Sequence, residues 1–405
     1  MLRIPVVYIL LLWLLPIGVT AQNFEFRTNQ NKQSLSFKAV KNLIVIPLFV
    51  NGKGPYDFVL DTGVGPMIVT DPSILDSLNF ESMRKIKIVG MGLESVEAFI
   101  TQDIDASIGN AVIKGIPTAI LREDLFNLSG YLGMKIYGLI GYNFFNSFIV
   151  DIRYSESRII FHNPDEPVKY KGSKVFIQID NLKPYVVAKV QLPNGKMIDS
   201  RLLMDTGASH ALSMETLNGA VFPLPDPSIK SGLGMSISGK INGHLGRIRK
   251  LQLGTYMLNH VVSGFPDYQV LSQRIDIKSR NGNLGADLLR RFNIQLNYQD
   301  GFMYLKPNSS YKKPFEHDMV GMTVYLDGQT YKRLLIGEVD EASPAEKAGL
   351  CPDDEIVGIN FKSIDLFNLN DIAELFKSGT GRNIIFEVYR DKKFYFKVVR
   401  LEKRI

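Results

Sequence analysis

The chain is poor in the residues that most often carry chemistry. One cysteine, Cys351, in 405 residues excludes an internal disulfide, so packing and hydrogen bonds must hold the fold together. The five histidines form no H-E-x-x-H pattern and the lone cysteine no C-x-x-C pair, so no metal site is expected. A G-x-x-x-x-G-K-[ST] phosphate loop is missing as well, and nothing calls for a cofactor. The net charge of +6 is dispersed, with Lys and Arg set among Asp and Glu, in no basic block and with no interleaved aromatics. That pattern describes a solvated surface and excludes a nucleic-acid partner. Beyond the N-terminus no apolar run is long enough to span a bilayer. Cys351 itself, a small weakly polar side chain, is expected to be buried.

What is present begins with an address. Residues 1–21, "MLRIPVVYILLLWLLPIGVTA", have an early cation at Arg3, an apolar run broken by Pro16, and small residues at Val19 and Ala21. This reads as a secretory signal peptide, so the protein is expected to be exported, periplasmic or secreted, with no membrane span once the signal is removed. The rest, in a chain 45% hydrophobic and 22% charged overall, suits two or three globular domains of about 100–200 residues each.

The chain spells Asp-Thr-Gly twice after an apolar run, at Asp61-Thr62-Gly63 and Asp205-Thr206-Gly207. An Asp ending an apolar strand is costly to desolvate unless it is bonded or used. The two lie 144 positions apart, and the same shift carries Gly90 to Gly234, Met91 to Met235, Gly141 to Gly285, Phe148 to Phe292 and Tyr154 to Tyr298. The chain is an internal duplication. Each half reads as mostly strand. β-Branched runs broken at Asn51-Gly52 and Asn194-Gly195 predict tight hairpins whose second strand leads straight into Asp-Thr-Gly. Gly-punctuated stretches around Gly90-Met91 and Gly234-Met235 predict mobile hairpins.

These elements resemble the two lobes of a retropepsin-like or pepsin-like aspartic protease. The resemblance covers about residues 35 to 308, divided as lobes 35–165 and 172–308. It rests on the two Asp-Thr-Gly loops, the flap-like hairpins, and the hydrophobic-hydrophobic-Gly segments Leu139-Ile140-Gly141 and Asn283-Leu284-Gly285. It implies a mainly β, bilobal fold with a central cleft, and Asp61 and Asp205 as catalytic residues. Thr62, Gly63, Thr206 and Gly207 would support that pair, and Gly90, Met91, Gly234 and Met235 would cover the substrate. The triplet is needed twice because metal-free peptide hydrolysis needs one group to accept a proton from water and another to donate one to the amide. Two carboxyls at about 3 Å do both, since they cannot both ionise. No tyrosine stands in either flap, unlike the pepsin pattern, and Val64 replaces the Ala or Ser usual after the first motif.

Residues 315–405 break the duplication. "IGEVDEASPAEKAGLCPDDEIVGIN" resembles a PDZ domain of the bacterial exported type, with Asp353 and Phe361 at positions usually held by glycine. The resemblance implies a small α+β domain in which Gly321, Met322 and Thr323 bind a peptide carboxylate or an extended internal segment, opposite a helix near Asp371 to Phe376. The expected function is an aspartic endopeptidase acting on polypeptides. The alternative is a non-catalytic peptide-binding scaffold on the same fold.

Overall fold

Asn51 and Gly52 both adopt left-handed backbone, φ 49° and 77°, the geometry of the two-residue hairpin that their dipeptide favours. They join β1 (Leu43–Val50) to β2 (Lys53–Leu60), and β2 runs directly into Asp61. Behind that strand, β3 (Met67–Val69) pairs antiparallel with β4 (Gly138–Ile140), which lies parallel to β2. The second half repeats this build. β5 (Lys183–Gln191) turns past Gly195 into β6 (Met197–Asp205), and β7 (Leu212–Met214) follows. A long hairpin comes next, β8 (Ser228–Ser236) and β9 (Gly239–Leu253). Finally β10 (Gly282–Gly285) lies parallel to β6 and antiparallel to β7. The repeat seen at 144 positions is therefore a repeat of strand pairing.

This computed structural model describes residues 23–75, 80, 83–89, 95–122, 124, 127–268, 280–328 and 330–405. The expected signal segment 1–21, Gly90 and Met91 lie outside the described residues.

The two halves are joined by a shared sheet. Ile149–Arg153 from the first half pairs with Phe292–Asn297 from the second, setting Val150 opposite Leu296 and Ile152 opposite Ile294. Lys32–Ser36 adds to this sheet by pairing with Arg158–His162, so a segment near the start of the described residues is woven into a sheet. Phe58, Phe144, Phe145, Phe161 and Phe292 are fully buried in one continuous core. Each such side chain is worth about 1.5–3 kcal/mol of burial. Packing across the sheet holds the lobes in a fixed relation without a disulfide.

The C-terminal domain has its own core, from Met319 to Leu401. Its sheet includes β11 (Met322–Leu326) and β12 (Leu334–Val339), and α1 (Leu369–Phe376) lies against it, opened by a capping box between Asn368 and Asp371. Asp353 and Phe361 take up φ of 68° and 61°, so both keep the left-handed backbone of the glycines they replace. Cys351 corrects an expectation: it is exposed. It opens a turn in which its N–H donates to Asp354 Oδ2 over 3.0 Å, and turn geometry rather than apolar burial sets its place.

This domain is bonded to the lobes at several points. Lys41 N–H donates to Asn370 Oδ1 (2.9 Å), Asn370 Nδ2 to Ala39 O (3.1 Å), and Lys41 Nζ to Val324 O (3.2 Å). Lys240 pairs with Glu338 at 2.7 Å. The linker is pinned where Arg291 donates to Pro314 O and its guanidinium lies 3.5 Å from the Phe315 ring centre. Among the described residues, no helix is long and apolar enough to cross a membrane, and no three His, Cys, Asp or Glu side chains gather as metal ligands would.

Candidate active site

β2 and β6 deliver Asp61 and Asp205 to the junction of the lobes, where the two Asp-Thr-Gly loops bond reciprocally. Thr62 N–H donates to Thr206 Oγ1 and Thr206 N–H to Thr62 Oγ1, both at 3.0 Å. Each hydroxyl in turn donates across the junction, Thr62 Oγ1 to Met204 O at 2.6 Å and Thr206 Oγ1 to Leu60 O at 2.9 Å. Both threonines are buried, so these four bonds compete with no water and fix the separation of the loops. The glycines allow that approach. A Cβ on Gly207 would collide with the Asp61 carboxylate, and one on Gly63 would come within 3.0 Å of Asp205.

The carboxyl groups have unequal surroundings. Asp61 Oδ1 accepts Gly63 N–H at 2.7 Å, and Asp205 Oδ1 accepts Gly207 N–H at 2.9 Å. Asp205 Oδ2 accepts a further bond from Asn283 Nδ2 at 2.7 Å. Among the described hydrogen bonds, no N–H reaches Asp61 Oδ2. Burial foremost, then the Asp205 charge, pushes the Asp61 carboxyl well above the usual carboxylate range, and the two side chains hydrogen-bond to each other. Burial and the neighbouring charge thus favour the protonated form of Asp61. His210 stands near Asp205 and Asp287, with burial lowering its imidazole below the ordinary range, so it is neutral there at pH 7.

The sequence motifs do not mark Asn283 as a site residue, although it stands in the second hydrophobic-hydrophobic-Gly segment. Its signal was available: the shift of 144 places it opposite Leu139, so a polar side chain occupies a slot that is apolar in the first half. Strand register sets Asn283 on β10 against Ser213 on β7, one residue before Leu284 and beside the end of β6.

Gly234 and Met235 lie in the β8–β9 hairpin, opposite Ile241 and Lys240. Gly234 has φ of 118°, and the register shifts between Gly232 and Gly234, which bends the strand. Met235 is exposed, whereas Ile237 near the hairpin tip packs on an apolar cluster of the first lobe that includes Val64 and Ile68. The hairpin therefore reaches across from the second lobe to the first. In the first lobe, Arg84–Val89 pairs with Ser95–Thr101 as a second hairpin.

Gly321, Met322 and Thr323 lie far from the Asp pair in sequence, at the start of β11. The N–H groups of Val320, Gly321 and Met322 converge on one point, but they already donate to the chain's own Asp318, over 2.8, 3.1 and 3.1 Å.

Residues 46–144 match the aspartyl protease family, and residues 335–390 match the PDZ domain family. Among solved structures, the chain resembles the aspartic proteinase from Irpex lacteus, at 11% identity and a TM-score of 0.43, over 70% of this chain and 99% of that one. No curated protein matches it.

Proposed function

We propose that this chain, with an aspartyl protease region in its first lobe and a PDZ domain near its end, is an aspartic endopeptidase that cleaves extended polypeptide segments. The observation that carries the reading is the Asp61–Asp205 pair, held by four buried threonine bonds, with burial favouring the protonated form of Asp61. A water between the carboxyls gives a proton to Asp205 as its oxygen attacks the scissile carbonyl, while Asp61 donates its proton to the carbonyl oxygen. The tetrahedral diol then collapses: Asp205 passes its proton to the leaving nitrogen, a diol hydroxyl returns one to Asp61, and one water has been added across the bond. An extended substrate lies beneath the β8–β9 hairpin, main chain against main chain, with apolar pockets choosing side chains. The PDZ domain supplies a second peptide site. The N-terminal segment supports export to the periplasm or beyond.

The test is cleavage of a peptide library by the purified chain, with and without a pepstatin-like inhibitor. Asp61→Asn and Asp205→Asn should each abolish turnover while leaving peptide binding, and the double variant should be no worse than either single. Cleavage surviving in either single variant would sink the mechanism. Binding without turnover in the unaltered protein would make it a peptide-binding scaffold instead.

A further inference from the structure

Converging backbone N–H groups on a loop beside an exposed strand are a means of holding a peptide's terminal carboxylate. In this domain those of Val320, Gly321 and Met322 hold the Asp318 carboxylate. We propose that the groove between β11 and α1 takes an extended internal stretch of polypeptide and rejects a free C-terminal carboxylate. The proposal rests on reading the domain as a peptide site, and it names the class of ligand.

Asp318 belongs to the same turn as its donors, separated from them by two to four residues. An intramolecular group on so short a tether outcompetes a free one, because effective concentrations reach about the millimolar range even for flexible linkers. A second carboxylate would also arrive beside a charge that the site holds reluctantly. Burial foremost pushes Asp318 up to about 6, and Asp340 adds to the rise. The neighbouring cation offers no relief, since Arg404 Nη1 donates to Asp340 Oδ2 at 2.7 Å.

Beyond the loop a groove remains between β11 and α1, narrowed where Ala39 and Lys41 bond to Asn370 and Val324. A cavity of about 510 Å³ is floored by apolar side chains of β11 and α1, among them Val324, Leu369, Ile372 and Phe376. Its other walls include Ser231 and Gly232 of the β8–β9 hairpin, Ser209 and His210, which follow the Asp205 loop, and Lys41 and Tyr131 of the first lobe. The groove thus continues into the protease body, where an internal segment can run on. Along β11, an entering strand meets the Lys41 ammonium on Val324 O, which burial has already lowered to about 8, and it stops short of Leu326, against which residues 128–132 of the first lobe pack.

The experiment measures binding of short labelled peptides to the full chain in an Asp205→Asn background, each peptide made as free acid and as C-terminal amide. The expected result is that acid and amide bind within about twofold of each other. Asp318→Ala should release the N–H groups and favour the acid by about tenfold or more. Ala373→Trp, on the groove-lining face of α1, should remove binding of both forms. An acid preference of about tenfold in the Asp318-containing chain, no binding of either form, or binding that survives Ala373→Trp would each overturn the proposal. The acid-to-amide comparison requires no change at Asp318, so it stands if Asp318→Ala fails to fold. A chain that binds both forms alike yet never cleaves would refute the protease reading and leave this one intact.

Discussion

Asn283 donates its amide N–H to Asp205 Oδ2 at 2.7 Å, while its own Oδ1, buried beside it, has no hydrogen-bond partner among the described residues. A buried unpaired amide oxygen costs about 1–3 kcal/mol, and the apolar counterpart Leu139 would avoid that cost. The donor is thus kept at the expense of stability, and it is what distinguishes one carboxyl of the pair from the other.

Asn283→Leu, which copies the first lobe, should therefore lower kcat by about 10- to 100-fold without lowering the melting temperature. Losing a donor to the ionised form should also move the acid limb of the pair's pH–rate profile to higher pH. Steady-state kinetics across pH and a thermal melt check both. Unchanged kcat and unchanged limbs would reduce Asn283 to a packing residue.

Asp61 links the site to stability. Its carboxyl lies above the ordinary range in the folded chain, chiefly through burial and then through Asp205. The folded state therefore binds more protons than the unfolded one as pH rises from the unfolded value towards the folded one, and stability falls across that window. Below the window both states are protonated and the penalty vanishes. Asp61→Asn, which cannot ionise but can still accept Gly63 N–H, should accordingly raise the melting temperature at neutral pH. It should leave the melting temperature nearly unchanged at pH values below the ordinary carboxyl range. Equal effects at both pH values would mean that folding does not raise the Asp61 carboxyl.

The parts legible in the sequence were those written locally or twice. Asn51-Gly52 dictates its own turn, and the Asp-Thr-Gly loops, the apolar strands feeding them and the glycines behind them recur at one spacing. What escaped depends on contacts between distant segments. Asn370 meets Ala39 and Lys41 more than 300 residues away, and neither side carries a pattern announcing the other. Asn283 differed visibly from Leu139, yet a polar residue in an apolar slot does not name its acceptor. Asp318 stands just ahead of a loop whose N–H groups were expected to face a ligand, and only the backbone trace turns them onto Asp318. Cys351 was assigned by residue type, and the turn around Asp354 overrode the preference.

The same kind of long-range contact ties the β8–β9 hairpin to the PDZ domain. Asp340, just past β12, accepts Ser231 Oγ at 2.9 Å, Gly232 N–H at 3.3 Å and Arg404 Nη1 at 2.7 Å, while its own N–H donates to Gly321 O at 2.9 Å. One residue thus joins the β8–β9 hairpin, through its carboxylate, to the loop that opens β11, through its N–H. Asp340→Ala should free the hairpin, speeding amide hydrogen exchange around Gly232 to Ile241. Two hydrogen bonds to a charge, discounted for partial exposure, amount to about 1–2 kcal/mol, so KM should rise by about 5- to 30-fold with a smaller change in kcat. The rise should appear with short peptides as well as long ones, because the hairpin rather than a tethered substrate is affected. A change confined to long substrates would show that the domain acts only by tethering, and unchanged exchange in the hairpin would show that Asp340 does not restrain it.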